Sequence, residues 1–353
     1  MKNQYPTRVL IAGGKTGGGV ASFAEALRLG LSELGLPAEV APPGNILRRI
    51  DELRDPAILK ILSLSAVFAA PAARRAICVS HGVPCVAYQG WRTWFAILAS
   101  YRMATAGKGT QLVAVSDYTA AHLRAIFNLR VDAVIRNPLH PLFLRASPEG
   151  ETKREAIMYV GRLVTAKNPH LLLPAMREVL NENAGLRIWI AGEGPLRHQL
   201  EQIANGDERI EFLGALQPRE VCRRLQQARV FVSGSPTEPF GITYLEALSQ
   251  GCAVVMPASG GGLEIAPEQI GGRIQLFPAS MSRREIASAI RRALLSSPKA
   301  VDLTDYSARA VARAYLSADA CFDAEGIFHV ERHDENRREV CTVAGLADGA
   351  YPQ

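Results

Sequence analysis

Val230-Phe231-Val232-Ser233-Gly234-Ser235-Pro236-Thr237-Glu238-Pro239-Phe240-Gly241-Ile242-Thr243-Tyr244-Leu245-Glu246-Ala247-Leu248 reads as strand, loop and helix in that order. The first four residues suit a buried strand, the Gly/Pro-rich stretch cannot continue it, and Gly241 opens a helix expected to run to Gln250. The same alternation extends to both sides. Strands are expected at Ala156–Val160, Leu186–Ala191, Ile210–Leu213 and Ala253–Met256, with helices at Pro169–Leu180, Pro195–Ile203 and Pro218–Gln227. Short buried strands alternating with helices predict a parallel sheet covered on both faces, a doubly wound α/β domain.

The first half repeats the pattern. Strands are expected at Arg8–Ala12, Ala38–Ala41, Ile61–Val67, Pro84–Tyr88, Gln111–Val115 and Ala133–Ile135, with a helix from about Gly19 to Leu34 whose Val20, Phe23, Leu27, Leu31 and Leu34 recur at helical spacing. Further helices are expected near Ala72–Val79, Trp91–Ala104 and Tyr118–Phe127. The Pro-containing, aperiodic stretch from Asn137 to Thr152 reads as a connection. The expected organisation is a first domain over 1–140, a linker over 141–154 and a second domain over 155–300. A terminal helix over 301–326 packs back on the first domain, and a polar, poorly ordered tail fills 327–353.

Length and composition agree with this architecture. The chain has 353 residues, enough for two domains. Its longest nearly apolar run, Ile61–Ala73, is 13 residues and falls short of a membrane span. The first residues do not read as a signal peptide, and a cytoplasmic location is expected, at the inner face of the cytoplasmic membrane if the chain touches lipid. Six cysteines without a C-x-x-C pair suggest reduced thiols, and His329 with His333 reads as solvated tail rather than a metal pair. Charge is uneven. Residues 1–150 carry 17 Lys+Arg against 9 Asp+Glu, a balance of +8, which leaves −2 for the rest of a chain whose total is +6. A basic half suits either an anionic partner or a merely solvated face.

Two glycine-rich turns invite an anionic ligand. After the first strand comes Gly13-Gly14-Lys15-Thr16-Gly17-Gly18-Gly19. It is not a P-loop, because Val9 stands where that motif needs glycine, nor a dinucleotide fingerprint, because the third glycine is replaced by Ser22. Glycines between a strand and a helix still bring backbone N–H groups close to a phosphate, so Gly17, Gly18 and Gly19 are candidate contacts, with a plain packing turn as the other reading. In the second half, N–H groups at Gly241, Ile242 and Thr243 stand at the positive end of a helix dipole beside Glu238 and Glu246. Carboxylates there can accept several hydrogen bonds from sugar hydroxyls.

Taken together these motifs resemble the retaining nucleotide-sugar glycosyltransferases of glycosyltransferase family 4. The likeness covers roughly residues 155–277. Tyr159-Val160-Gly161-Arg162-Leu163 followed by Lys167 resembles the family's basic pair on the donor diphosphate. Ala191-Gly192-Glu193-Gly194-Pro195 resembles its turn near the nucleotide, Phe212-Leu213-Gly214 the segment beside the base, Glu238 to Glu246 its paired glutamates, and Gly260-Gly261-Gly262-Leu263-Glu264 the glycine turn that follows. The resemblance implies the GT-B fold, two Rossmann-like domains facing across a cleft that closes on the donor, and transfer of a sugar from a nucleotide-diphosphate sugar to a glycan or lipid-linked acceptor in surface polysaccharide or glycolipid synthesis. It implies Arg162, Lys167 and Glu238 as catalytic residues, and donor contacts from Gly192, Phe240, Gly241, Ile242, Thr243 and Glu246. No obligatory cofactor or metal is implied, and the sequence has no Asp-x-Asp clamp. Nucleic acid is not an expected partner.

The first half is less similar, matching in Gly17-Gly18-Gly19, Val115-Ser116-Asp117 and Arg136-Asn137-Pro138. Many members carry a histidine directly after the strand equated with Pro84–Tyr88, close to the transferred sugar. That alignment puts Gln89 in its place and makes His81 structural. The acceptor side is expected around Gln89, Trp91 and Arg92. Trp91, Trp94, Phe95, Leu98 and Tyr101 recur at helical spacing with Arg92 and Arg102 alongside, which fits either core packing or a helix resting on an anionic membrane. Two rival readings stay open: a degenerate scaffold that binds without turnover, favoured by Gln89, and a nucleotide-sugar epimerase, for which no bracketing acid/base set is found.

Overall fold

The structure is a computed structural model and describes residues 6–13, 18–83, 90–106, 109–144, 156–296 and 301–320. It divides into two units: residues 1–141 together with 304–353, and residues 142–303. Each holds a wholly parallel six-stranded sheet.

In the first unit the strands are β1 (Arg8–Ala12), β2 (Ala38–Ala41), β3 (Ile58–Ser63), β4 (Ala76–Ser80), β5 (Thr110–Ala114) and β6 (Ala133–Val134), in the order β2-β1-β3-β4-β5-β6. β3, β4 and β5 are buried along their whole length, as strands covered on both faces must be. Two expectations are corrected here. The segment Ala72–Val79 is not a helix. Ile77 and Val79 alternate with Ala76, Cys78 and Ser80 between two neighbouring strands, and the sheet overrides the helical leaning of the alanines and arginines before them. The strand expected from Ile61 to Val67 starts at Ile58 and gives way after Ser63 to a 3-10 helix, Leu64–Ala72. The stretch equated with a strand at Pro84–Tyr88 lies outside the described residues, as do Gln89, Gly17, most of the linker and the tail.

The helix Ala308–Ala320 belongs to this first unit. It packs against the helix Gly19–Glu33 so closely that a Cβ on Gly30 would stand 2.0 Å from the Ala308 carbonyl oxygen. Asp319, 4% exposed at its side chain, accepts from Nε and Nη2 of the Arg75 guanidinium, and Gln111 Nε2 donates to the Ala318 carbonyl.

The second unit contains β7 (Ala156–Val160), β8 (Arg187–Ala191), β9 (Ile210–Gly214), β10 (Val230–Val232), β11 (Ala253–Pro257) and β12 (Ile274–Phe277), ordered β12-β11-β10-β7-β8-β9. Its helices Pro169–Glu182 and Arg283–Leu295 lie together on the sheet, burying Leu172, Met176, Val179, Ile286 and Ile290 in one core with Ile157, Ile188 and Val255. Successive strands are joined by helices, β11 and β12 by two short 3-10 turns, and the strand order reverses between β7 and β10. In an open parallel sheet that reversal leaves a crevice at the carboxyl ends of the two strands.

Candidate active site

The loops that leave β7 and β10 at this crevice carry Arg162, Lys167 and Glu238. Past β7 the chain turns through Gly161 and Arg162, then makes a 3-10 turn at Thr165–Lys167. Past β10 it forms the loop that holds Ser235 and Glu238. The two are tied together: Lys167 Nζ pairs with a Glu238 carboxylate oxygen and lies 3.4 Å from Ser235 Oγ, while Asn168 Nδ2 donates to the Gly234 carbonyl at 2.9 Å. Both members of the pair keep solvent access, 27% and 18%. Residues 71 apart in sequence thus present one cation and one anion side by side at the sheet's switch point.

Beyond Glu238 the chain enters the helix Ile242–Ser249 through Gly241. At Gly241 φ is 96° and a Cβ would stand 2.6 Å from Tyr244 Cδ2, so only glycine fits. The Tyr244 ring below is fixed by a 2.9 Å hydrogen bond between its hydroxyl and Ser233 Oγ. Backbone N–H groups of Tyr244 and Leu245 turn back to Gly241 O, whereas those of Gly241, Ile242 and Thr243 find no acceptor among the described residues. Unpaired N–H groups at a helix amino end are able to take up an anion. Phe240 is 1% exposed, so its ring serves the core. Gly261 N donates to the Glu238 carbonyl at 2.8 Å, which holds the loop from its other side.

Glu246 follows on the same helix and is 7% exposed. Its carboxylate accepts no hydrogen bond among the described residues, and burial pushes its pKa up to about 8. Removing a carboxylate from water without a partner costs several kcal/mol, roughly, which a ligand hydroxyl would offset. Arg162 is exposed, and its guanidinium makes no hydrogen bond or ion pair among the described residues; its carbonyl accepts from the Tyr159 hydroxyl at 3.0 Å. Gly192 has a packing reason to be glycine. A Cβ there would stand 1.9 Å from Gly161 O, and the β8 turn lies against the β7 turn through Leu163 N to Glu193 O at 2.8 Å.

In the first unit, Gly18 caps the helix Gly19–Glu33, and nothing lies within 4 Å of a Cβ on Gly18 or Gly19. β4 ends at Ser80 and His81 follows it directly, while Gln89 lies outside the described residues. The His81 ring packs edge-on to Phe23 with centroids 4.5 Å apart, and Nε2 is 3.3 Å from Ser63 Oγ. Burial lowers its pKa to about 4, against a smaller opposing effect of Asn137, so the imidazole is neutral at pH 7.

Of the aromatic stripe, Tyr101 is fully buried and Trp94 and Leu98 pack on the core, whereas Trp91 and Phe95 are exposed. Among the described residues no cluster of His, Cys, Asp and Glu is placed to hold a metal ion, and no helix is long and apolar enough to cross a membrane.

Comparison with known proteins gives the same architecture. HepE of Anabaena, solved in complex with UDP and glucose, superposes with a TM-score of 0.64 over 88% of this chain and 95% of that one, at 16% identity. That likeness shows the fold, which is GT-B. One component of the human phosphatidylinositol N-acetylglucosaminyltransferase is 34% identical over 151 residues, 42% of this chain and 31% of that protein. The sulfoquinovosyl transferase SQD2 of Arabidopsis thaliana is 32% identical over 172 residues, 48% of this chain and 32% of that protein. The chain therefore spans about a third of the length of these curated relatives. Residues 143–310, which hold the second sheet, the Lys167–Glu238 pair and Glu246, match the family described as glycosyl transferases group 1.

Proposed function

We propose that the chain is a retaining glycosyltransferase of family 4 that moves a sugar from a nucleotide-diphosphate sugar to a glycan or lipid-linked acceptor. The observation that carries this reading is the joining, at one switch point, of the Lys167–Glu238 pair, three unsatisfied N–H donors and a buried, unpartnered Glu246. Anionic diphosphate, sugar and ribose hydroxyls are what such a set can take up.

In this reading the N–H groups of Gly241, Ile242 and Thr243 hold diphosphate oxygens, and Glu246 accepts from ribose hydroxyls. Glu238 accepts from hydroxyls of the transferred sugar. As the bond between the anomeric carbon and the phosphate oxygen breaks, its electron pair stays on the diphosphate, where Lys167 and Arg162 neutralise the growing charge. The acceptor oxygen bonds to the anomeric carbon on the same face, and its proton passes to the departing phosphate oxygen. No protein nucleophile takes part. We place the acceptor on the first unit, where Trp91 and Arg92 stand exposed and His81, neutral at pH 7, is available as a hydrogen-bonding group.

The test is a thermal-shift panel of UDP, GDP, ADP, dTDP and their sugar conjugates on wild type and Lys167→Ala. A ligand at a hundredfold excess over its Kd adds about 2.7 kcal/mol of stability. One nucleotide family is expected to stabilise the wild type, and more weakly the variant. No response to any of them overturns the assignment.

A further inference from the structure

In the free protein the second unit's site holds a competitor for its own cation. Lys167 Nζ pairs with the Glu238 carboxylate, and its one further hydrogen bond among the described residues is to Ser235 Oγ at 3.4 Å. Arg162 stands close by. Burial chiefly raises the Tyr159 pKa, Glu238 adds to that and Arg162 opposes it, so both charges lie around one phenol ring. Glu246, pushed by burial up to about 8, is largely protonated at pH 7. Lys167 and Glu238 therefore cancel, and of these four residues only Arg162 offers an incoming anion an uncompensated charge. A lysine serving simply as a phosphate clamp needs no carboxylate beside it.

The backbone on both sides of the pair is tied down. Asn168, next to Lys167, donates through Nδ2 to the Gly234 carbonyl at 2.9 Å, and a Cβ on Gly234 would stand 3.0 Å from the Lys167 carbonyl oxygen. The Glu238 carbonyl accepts from Gly261 N at 2.8 Å, and a Cβ on Gly260 would stand 2.8 Å from the same oxygen. Ser259 Oγ donates to the Pro236 carbonyl at 2.8 Å. With both loops held, the pair opens by rotation of the Lys167 side chain, whose flexible four-carbon stem permits it. Both ends keep contact with water, 27% and 18%, so the attraction is modest and a more highly charged anion can overcome it.

We propose that Lys167 is exchanged between Glu238 and the ligand's diphosphate, and that its return to Glu238 loosens the spent nucleoside diphosphate once the sugar has gone. The inference rests on the transfer reading. When a nucleotide sugar enters, Lys167 turns to the phosphate oxygens and sugar hydroxyls take its place on Glu238. The nucleoside diphosphate left after transfer has no such hydroxyls to give. Glu238 is then a mostly buried, unpartnered carboxylate, and it draws Lys167 back. Lys167 cannot serve both partners at once without setting the carboxylate against phosphate oxygens, where like charges repel.

Calorimetric titration of the full chain with UDP, GDP, ADP and dTDP tests the exchange, on wild type, Glu238→Gln, Lys167→Ala and the double variant. A diphosphate that binds wild type is expected to bind Glu238→Gln about fivefold more tightly, because the uncharged amide releases Lys167. In the Lys167→Ala background the same change should tighten binding by less than about twofold, since no lysine is left to release. Circular dichroism melts establish that the variants fold; Glu238→Ala removes the same charge and should tighten binding likewise, so it stands in if the glutamine variant does not fold. Unchanged or weaker diphosphate binding by the Glu238 variants overturns the exchange and makes Glu238 a group that steers Lys167 towards the phosphates. Equal tightening with and without Lys167 also overturns it, leaving plain repulsion between Glu238 and the anion. If wild type binds none of the diphosphates, the transfer reading falls and the exchange with it. If wild type binds one and the Glu238 variants do not tighten it, the exchange falls and the transfer reading stands.

Discussion

Glu246→Gln should make the ligand-free protein more stable while removing its response to nucleotide. The carboxyl group titrates near pH 8 in the fold and near 4.5 in the unfolded chain, because burial disfavours its charge and no partner restores it. Below pH 4.5 both states hold the proton, and the group costs nothing. As pH rises from 4.5 towards 8, the unfolded chain releases the proton and the folded one retains it, so stability falls by about 1.4 kcal/mol per pH unit. Glutamine keeps the shape of the protonated acid and has no proton to lose. The stability gap between variant and wild type should therefore widen by about 2.7 kcal/mol between pH 5 and pH 7. Urea unfolding of ligand-free protein at both pH values measures it, followed through the second unit's Trp189. The same variant should lose most of the stabilisation that a nucleoside diphosphate gives the wild type, because an amide cannot accept from two ribose hydroxyls as a carboxylate does. A gap that stays constant with pH, or a variant less stable than wild type at pH 7, would mean that Glu246 is charged and paired in the free protein. A carboxylate already paired would have no call for ribose hydroxyls, and its part in nucleotide binding would fall.

Four further outcomes are expected. Gly241→Ala places a Cβ 2.6 Å from the Tyr244 ring at a left-handed φ and should cost about 1–3 kcal/mol, together with loss of the nucleotide-induced thermal shift. Lys167→Ala should slow sugar transfer by about 10²–10³-fold, as expected for loss of one group that stabilises the leaving charge; a steady-state assay with unchanged kcat contradicts that role. His81→Gln should fold normally, and wild-type transfer should show no inflection from this residue between pH 6 and 8, because its imidazole is already neutral there. Asp319→Ala removes the carboxylate that accepts from Arg75 and should lower stability by about 2 kcal/mol, read as earlier proteolytic cleavage within the helix Ala308–Ala320.

Most of the second unit is legible in the sequence because its strands are short runs of Ile, Val and Ala cut off by glycine or proline. Ala156–Val160 and Pro218–Gln227 have the bounds that spacing suggests. β12 escapes notice, since Gln275 interrupts a four-residue strand that Gly271 and Gly272 precede. In the first unit, Ala72 to Arg75 lean towards helix, and only the neighbours β3 and β5 make Ala76–Ser80 a strand. His81 directly follows that strand, whereas Pro84–Tyr88 and Gln89 lie outside the described residues. Spacing also shows that Trp91 to Tyr101 lie on a helix but not which face the sheet will cover. Nor can it show that Lys167 and Glu238 touch, because the sheet order that joins β7 to β10 is a tertiary fact.

The first unit is assembled from two pieces of chain separated by the whole of the second. The helix Ala308–Ala320 covers Gly30, Gln111 is anchored on Ala318, and Leu139 N donates to the Tyr306 carbonyl at 2.7 Å. Synthesis runs from the amino end, and domains ordinarily mature in the order in which they emerge. Here the order is reversed. The part that is translated first lacks a wall until more than 300 residues have left the ribosome, whereas residues 142–303 have every strand of their own sheet to hand earlier. For a time the nascent amino-terminal half leaves the side of the helix Gly19–Glu33 that faces Tyr315 and Ala308 uncovered. A chain cut after residue 303 would hold a finished second unit joined to an unclosed first one, and a protease would meet the first rather than the second.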